Sequence, residues 1–399
     1  MSLSLSVKGL AVKPSSTLAI TAKAKELRAQ GLDVVTFGAG EPDFDTPDNI
    51  CTTAKDAIDR GFTKYTAAAG MPELRAAISR KFARVNKLNY APEQIIVSNG
   101  GKHALTNVFQ AIINPGDEVI IPSPYWLSYP EIVKLADGVP VFVPCDASEN
   151  FKITPEKLAA ACNEHTKALI LNSPNNPTGM VYTRSELEAL AKVIVEKDIY
   201  VVSDEIYECL VYEDIEQVSI ASLGEEIYNH TITVNGVAKA YAMTGWRIGY
   251  TGAPKAVAKV MASIQSHQTS NPNSIAQYAC IEAFDGPQES VELMHREFDR
   301  RRVYACERIA AMPYVQCVKP KGAFYVFINI GEVLGKKYKG ETIETVDRLA
   351  KILIEDYLTA VIPCADFGRA DHIRLSYAIS MEQIAKGLDR ISQFLAELN

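Results

Sequence analysis

A chain of 399 residues, 47% hydrophobic and 22% charged, is long enough to bury a full core and too long for one average domain, so two domains are expected. Its formal net charge of −7 and pI near 5.6 argue against a nucleic-acid partner, which would need a clustered basic face. Eight cysteines without any C-x-x-C spacing read as scattered core thiols in a reducing compartment, and the dispersed histidines offer no metal site.

The amino terminus, MSLSLSVKGLAVKPSS, has no basic stretch ahead of an apolar one, and no apolar run reaches membrane-spanning length. A cytoplasmic protein without membrane contact is expected; one whose transit peptide has been removed would read the same. From about Pro47 to Phe284, helical periodicity alternates with short apolar runs that end in polar residues: QIIVSNGG, DEVIIPSPYW, KALILNSPNNPTG, IYVVSDEIY and TITVNGVAK. Buried strands of this kind, separated by helices such as RSELEALAKVIVEK, predict an α/β domain with a mostly parallel sheet and a site at the strands' carboxyl ends. After about Gly286, long helices (VELMHREFDRRRVYACERIAAM, IETVDRLAKILIEDYL, MEQIAKGLDRISQFLAEL) alternate with GAFYVFINI, TAVIPC and HIRLSYAI, which predicts a smaller α+β domain. The run Arg300, Arg301, Arg302, interleaved with Glu292, Glu297 and Asp299, reads as a solvated helix face.

Several strand ends carry residue types suited to chemistry. In SNGGKHAL, Gly100 and Gly101 permit close backbone approach, and the first N–H groups of the following helix can bind phosphate, although many such turns only end a strand. Trp126 either stacks on a planar group or fills the core. Asn176 either shapes its turn or offers its amide to a ring oxygen or a carboxylate. Asp204, with Tyr207 three residues on, either pairs with a ring nitrogen or caps a following helix. Lys239 sits among small apolar residues that would lower its pKa, with Arg247 nearby for a phosphate; alone, such a lysine is more often a surface residue. Arg374, inward on a strand, requires an anion from a structural carboxylate or a substrate. An amine, an acid, a phenol, a phosphate cradle and a carboxylate clamp are the parts that transamination on pyridoxal phosphate needs.

From GAGEPDF at Gly38–Phe44 through SPNNPTG, SDEIY and GVAKAYAMTGWRIG to HIRLSYA, nearly the whole chain resembles the class I aminotransferases of pyridoxal-phosphate fold type I. It is most similar to the bacterial-type aspartate aminotransferases, in the subgroup that also contains prephenate aminotransferases. The resemblance implies an α/β large domain over 46–285 with a mostly parallel seven-stranded sheet, and a small α+β domain made of 1–45 with 286–399. It implies pyridoxal 5′-phosphate as cofactor, amino acids and 2-oxo acids as substrates, and a homodimer. Lys239 would carry the cofactor and move the proton; Asp204, Tyr207 and Asn176 would surround its ring, Trp126 would stack on it, and Arg247, Gly101 and Lys102 would hold its phosphate. Arg374 and Asn176 would clamp the α-carboxylate, Gly40 would close over the substrate, and Tyr65 would reach the neighbouring subunit's phosphate. Ala238 stands where many relatives have serine. KPSSTLAI and Lys102 resemble the subgroup's acidic-substrate recognisers, with Lys102 or Lys13 to meet a side-chain carboxylate, and Lys13 and Thr17 match positions that accompany prephenate use. L-aspartate with 2-oxoglutarate is the expected pair, prephenate a further acceptor.

A β-lyase would use the same lysine, aspartate and arginine. A pyridoxal-binding regulator would need a helical DNA-binding domain where only about 45 residues precede the α/β region. A dehydrogenase would need a G-x-G-x-x-G turn with an acid about 20 residues on, and a metal hydrolase an H-E-x-x-H, and neither pattern occurs.

Overall fold

The apolar runs form the strands Ile95–Ser98, Glu118–Ser123, Thr166–Asn172, Tyr200–Asp204 and Thr231–Gly236, with interiors buried on both faces, as parallel strands covered by helices require. In the computed structural model, which describes residues 4–399, they join Val139–Pro144 and Gly249–Gly252 in one seven-stranded sheet. Its order is Ile95–Ser98, Gly249–Gly252, Thr231–Gly236, Tyr200–Asp204, Thr166–Asn172, Glu118–Ser123, Val139–Pro144, and only Gly249–Gly252 runs antiparallel to its neighbours. The sequence did not single out the two added strands: one, VPVFVP, is apolar but broken by prolines and forms an edge with Val139 and Phe142 exposed, and the other reads GYTG. A Cβ on Gly249 would stand 2.3 Å from the backbone nitrogen of Gly101, so this glycine lets the helix Gly101–Ile112 seat its first turn against the sheet.

Register then builds the site's floor. Asn172 lies opposite Asp204, Asp204 opposite Val234, and Gly236 opposite Gly249, which brings three strand ends and their following loops to one edge.

The second sheet is antiparallel, ordered Ile362–Pro363, His372–Ser376, Tyr325–Asn329, Gln316–Cys317, and shares one core with the helices Glu289–Ala310, Val346–Asp356 and Met381–Ala396. TAVIPC divides: Ile362–Pro363 pairs with His372–Ser376, while Thr359–Ala360 pairs in parallel with Val35–Thr36. The amino-terminal segment is thereby joined to the carboxyl-terminal part of the chain. Residues 1–3 of that segment lie outside the described ones.

The arginine run corrects its reading. Arg300 is solvated, but Arg301 and Arg302 are 6% and 1% exposed. Arg302 pairs with Asp299 and Glu213, donates to the Pro320 carbonyl and lies 5.0 Å from the Tyr212 ring centroid. The neighbouring acids carry these guanidiniums inward as ion pairs instead of marking a wet face. All eight cysteines are free, and among the described residues no helix is long and apolar enough to cross a membrane.

Candidate active site

At the strand-end edge a cleft of about 410 Å³, within the range of small-molecule sites, is lined by Ser15, Thr17, Gly40, Gly101, Lys102, Trp126, Asn176, Asp204, Tyr207, Ala238, Lys239, Arg247 and Arg374, among others. Residues from every part of the chain that the sequence singled out therefore meet there. Two do not: Lys13 is exposed and only its backbone N–H is engaged, donating to Glu131 at 3.1 Å, and Tyr65 stands 91% exposed outside the cleft.

Asp204 is buried at the end of its strand. Its Oδ2 accepts from the Tyr129 hydroxyl at 2.8 Å and its Oδ1 from the Ile206 N–H at 3.2 Å. Turns follow, so there is no helix for it to cap. Burial pushes its carboxyl up to about 6, against the pull of the Tyr129 bond, the Ile206 N–H and the Lys239 charge. The Tyr207 hydroxyl shares a 2.9 Å bond with that of Tyr325.

Lys239 follows the strand Thr231–Gly236, and its ammonium donates to the Gly40 carbonyl with the rings of Tyr207 and Phe324 on either side at 5.9 and 5.7 Å. Burial lowers its pKa to about 8; Arg374 and Arg247 act in the same direction and Glu41 opposes.

Arg374 is 2% exposed on the strand His372–Ser376. Its Nη1 donates to Asn176 Oδ1 at 2.9 Å and its Nη2 to the Gly38 carbonyl at 3.3 Å, its guanidinium lies 4.3 Å from the Tyr325 ring centroid, and its Nε has no partner. Unlike Arg301 and Arg302, it has no carboxylate within ion-pair distance among the described residues. The described residues thus supply no counter-ion, and a buried cation left this way is suited to an anion that binds in the cleft.

At the cleft's other end, Gly100 has φ +89° and a Cβ there would stand 2.2 Å from Arg247 Nη2. Arg247 Nη1 donates to the Thr244 carbonyl at 2.8 Å. The guanidinium therefore lies against the amino end of Gly101–Ile112, whose first N–H groups lack intrahelical partners, an arrangement with the donors and charge to hold an anion. Lys102 Nζ lies 4.9 Å from the Trp126 ring centroid, and burial, then Arg247, lowers its pKa. Trp126 meets Tyr129 edge-on at 5.3 Å.

The sequence did not single out Tyr129, Tyr325 or Asn172. Asn172 donates to the Asp204 carbonyl at 2.9 Å and accepts from the Asn176 N–H at 2.8 Å, tying two site loops together. Its position at the end of KALILN, as Asp204 ends IYVVSD, was the available signal.

The sequence profile of the aminotransferases of class I and II matches residues 32–391. An aspartate aminotransferase of Bacillus sp. strain YM-2 is 50% identical over 382 residues, covering 96% of each chain. An aspartate/prephenate aminotransferase of Cereibacter sphaeroides is 49% identical over 390 residues, 97% of this chain and 98% of its own. The aspartate aminotransferase of Thermus thermophilus solved with maleate, 47% identical, superposes with a TM-score of 0.93 over 99% of this chain and 100% of that one. The chain belongs to the class I and II aminotransferase family and has the fold type I architecture of its solved relatives.

Proposed function

We propose that this protein transfers the amino group of L-aspartate to 2-oxoglutarate on pyridoxal 5′-phosphate, and that it also accepts prephenate. The observation that carries the reading is Arg374: a buried guanidinium with no carboxylate of its own, on the wall of the same cleft as the desolvated amine of Lys239. The residues fit the cofactor. A pyridine nitrogen suits the desolvated Asp204 carboxyl, a phenolic oxygen suits Tyr207 and Asn176, a phosphate suits Arg247 with the backbone at Gly101 and Lys102, and the ring suits the indole of Trp126.

When bound, the cofactor supplies an electron sink for the pair left at the substrate's Cα. The chain supplies the rest. Lys239 Nζ, whose pKa near 8 leaves about a tenth of it neutral at pH 7, takes the proton from Cα as base and, as acid, would deliver it to the C4′ carbon of the bound cofactor. Arg374, with Asn176, fixes the α-carboxylate so that the Cα–H bond faces that amine, and Gly40 bounds the cleft on the same side. Lys102 meets the second carboxylate of aspartate, glutamate or prephenate, and Thr17, whose buried hydroxyl has no partner, also lines the cleft. The exposure of Tyr65 fits a homodimer in which it enters the second subunit's phosphate site. The eight free thiols fit a reducing, cytoplasmic setting.

We also assign 46–285 to a large domain and 1–45 with 286–399 to a small one. Asp43 pairs with Arg301 of the helix Glu289–Ala310, whereas Thr46 donates to the Ala242 carbonyl at 2.9 Å, so contacts change side between these positions.

A steady-state assay with aspartate tests the function. Continuous oxaloacetate formation that requires 2-oxoglutarate or prephenate supports it; no such turnover, together with pyruvate and ammonia released from an amino acid that carries a β leaving group, such as a cysteine thioether, in the absence of any acceptor, would make the protein a β-lyase.

A further inference from the structure

The segment Gly38–Phe44 gives Gly40 to the cleft's wall. Its leading end is tied to the parallel pair and to the second sheet: Phe37 N–H donates to the Ala360 carbonyl and Ser376 N–H to the Phe37 carbonyl, both at 2.9 Å. Its middle meets the two central cations, with the Gly38 carbonyl accepting from Arg374 and the Gly40 carbonyl from Lys239. Its trailing end is held by Arg301, which donates Nη1 to Asp43 Oδ1 at 2.7 Å and Nε to Glu297 Oε1 at 2.9 Å. The guanidinium lies 5.3 Å from the Phe44 ring centroid and 5.6 Å from that of Phe298, and those two rings meet edge to face at 5.5 Å. At Thr46 the chain is already bonded to Ala242 and Trp246, so the Asp43–Arg301 pair is the last charged tie to the helix Glu289–Ala310, with the Phe44–Phe298 ring contact beside it.

Arg301 lines no part of the cleft, and amino transfer has no step for it. We infer that Arg301 is a positioning residue: through Asp43 it fixes the path of Gly38–Gly40, and so the seat of Arg374 and the affinity for substrate carboxylates. A segment pinned at both ends holds its middle carbonyls within a narrow range, and carboxylate binding is sensitive to displacements of that order. With the charged tie at Asp43 lost, the Phe44 ring contact and the Glu41–Thr244 bond hold the trailing end less closely, the Gly38 carbonyl restrains the Arg374 fork less, and each bound carboxylate must restore that order itself. The inference rests on the proposed reading of Arg374 as the carboxylate clamp.

Asp43→Asn is the discriminating variant. It leaves Arg301 paired with Glu297, so the helix keeps its buried ion pair while the segment loses its charged tie. In the cofactor-loaded protein, calorimetry gives the Kd of maleate, an unreactive dicarboxylate, and steady-state assays give KM and kcat. The expected result is a rise of about tenfold in the maleate Kd and in both KM values, with kcat, melting temperature and cofactor absorbance close to those of the parent. Arg301→Lys, which keeps a cation near Asp43 but not the two-pronged geometry, is expected to show a smaller rise in the same quantities. A Kd and KM within about twofold of the parent's for Asp43→Asn would overturn the inference, whatever Arg301→Lys does. Arg374→Met is measured alongside: if it binds maleate as the parent does, the clamp reading fails on its own account.

Discussion

Arg374 donates Nη1 to Asn176 Oδ1 at 2.9 Å, linking a strand of the smaller sheet to the loop after a central strand of the larger one, and no carboxylate among the described residues forms an ion pair with it. Most buried arginines are balanced by acids, as Arg302 is by Asp299 and Glu213. An unbalanced one costs stability in the empty protein and recovers it when an anion binds. Arg374→Met should therefore keep or raise the melting temperature while kcat/KM for every carboxylate substrate falls about 10²–10³-fold, ~3–4 kcal/mol. Thermal denaturation beside steady-state kinetics checks both halves; an unchanged KM for donor and acceptor would remove Arg374 from the site.

Asp204 gives a pH dependence with a definite sign. Its carboxyl is pushed from the ordinary 3.8 to about 6 by burial, so the folded, cofactor-free protein holds a proton that the unfolded chain has already lost between these values. Stability then falls as pH rises through that window, by on the order of 3 kcal/mol in all. Asp204→Asn, which has nothing to titrate, should exceed the cofactor-free parent in denaturant stability above about pH 6 and lose that advantage below about pH 4. Equal pH profiles for parent and variant would show that Asp204 is not desolvated in this way.

For Lys239, the neutral amine is the reactive form, and its pKa near 8 sets when that form appears. Reloading of the cofactor-free protein with pyridoxal phosphate should accelerate about tenfold per pH unit below that value and level off above it. A rate still climbing toward pH 10, as for a solvated lysine, would contradict the assignment. Lys239→Ala should remain folded and show no turnover.

Tyr65 contributes nothing to its own cleft and is 91% exposed, which is unusual for a tyrosine without a partner to cover it. Tyr65→Phe should leave the dimer intact and weaken cofactor binding by about tenfold, ~1.4 kcal/mol, the value of one lost hydrogen bond to a charged group. Sedimentation and cofactor titration decide it. A cofactor affinity equal to the parent's would exclude the hydroxyl from a second subunit's phosphate site.

The larger sheet was legible because strands buried on both faces read as unbroken apolar runs, and IIVS, LILN and VVSD can hardly be anything else. The strand GYTG was not, since its glycines are there to let Gly101 and Tyr90 approach and carry no apolar pattern. The positions of Lys239, Asp204, Asn176 and Arg374 were legible from motif spacing, each being at or just past a strand end or, for Arg374, inward on a strand. Tyr129 and Tyr325 were not: their bonds to Asp204 and Tyr207 close over 75 and 118 residues, and nothing local marks them. Arg301 and Arg302 were misread for a related reason, because adjacent acids look the same in sequence whether a helix face meets water or folds its ion pairs inward.

The most direct test of the proposed function is a half-reaction. L-aspartate is added to the pyridoxal-loaded protein without an acceptor, and the visible absorption band of the bound cofactor is followed. Loss of the band with release of oxaloacetate, followed by its return when 2-oxoglutarate or prephenate is added, is the predicted result. A band that persists at saturating aspartate would contradict acidic-donor specificity, and the failure of any band to form at saturating cofactor would contradict the role of Lys239.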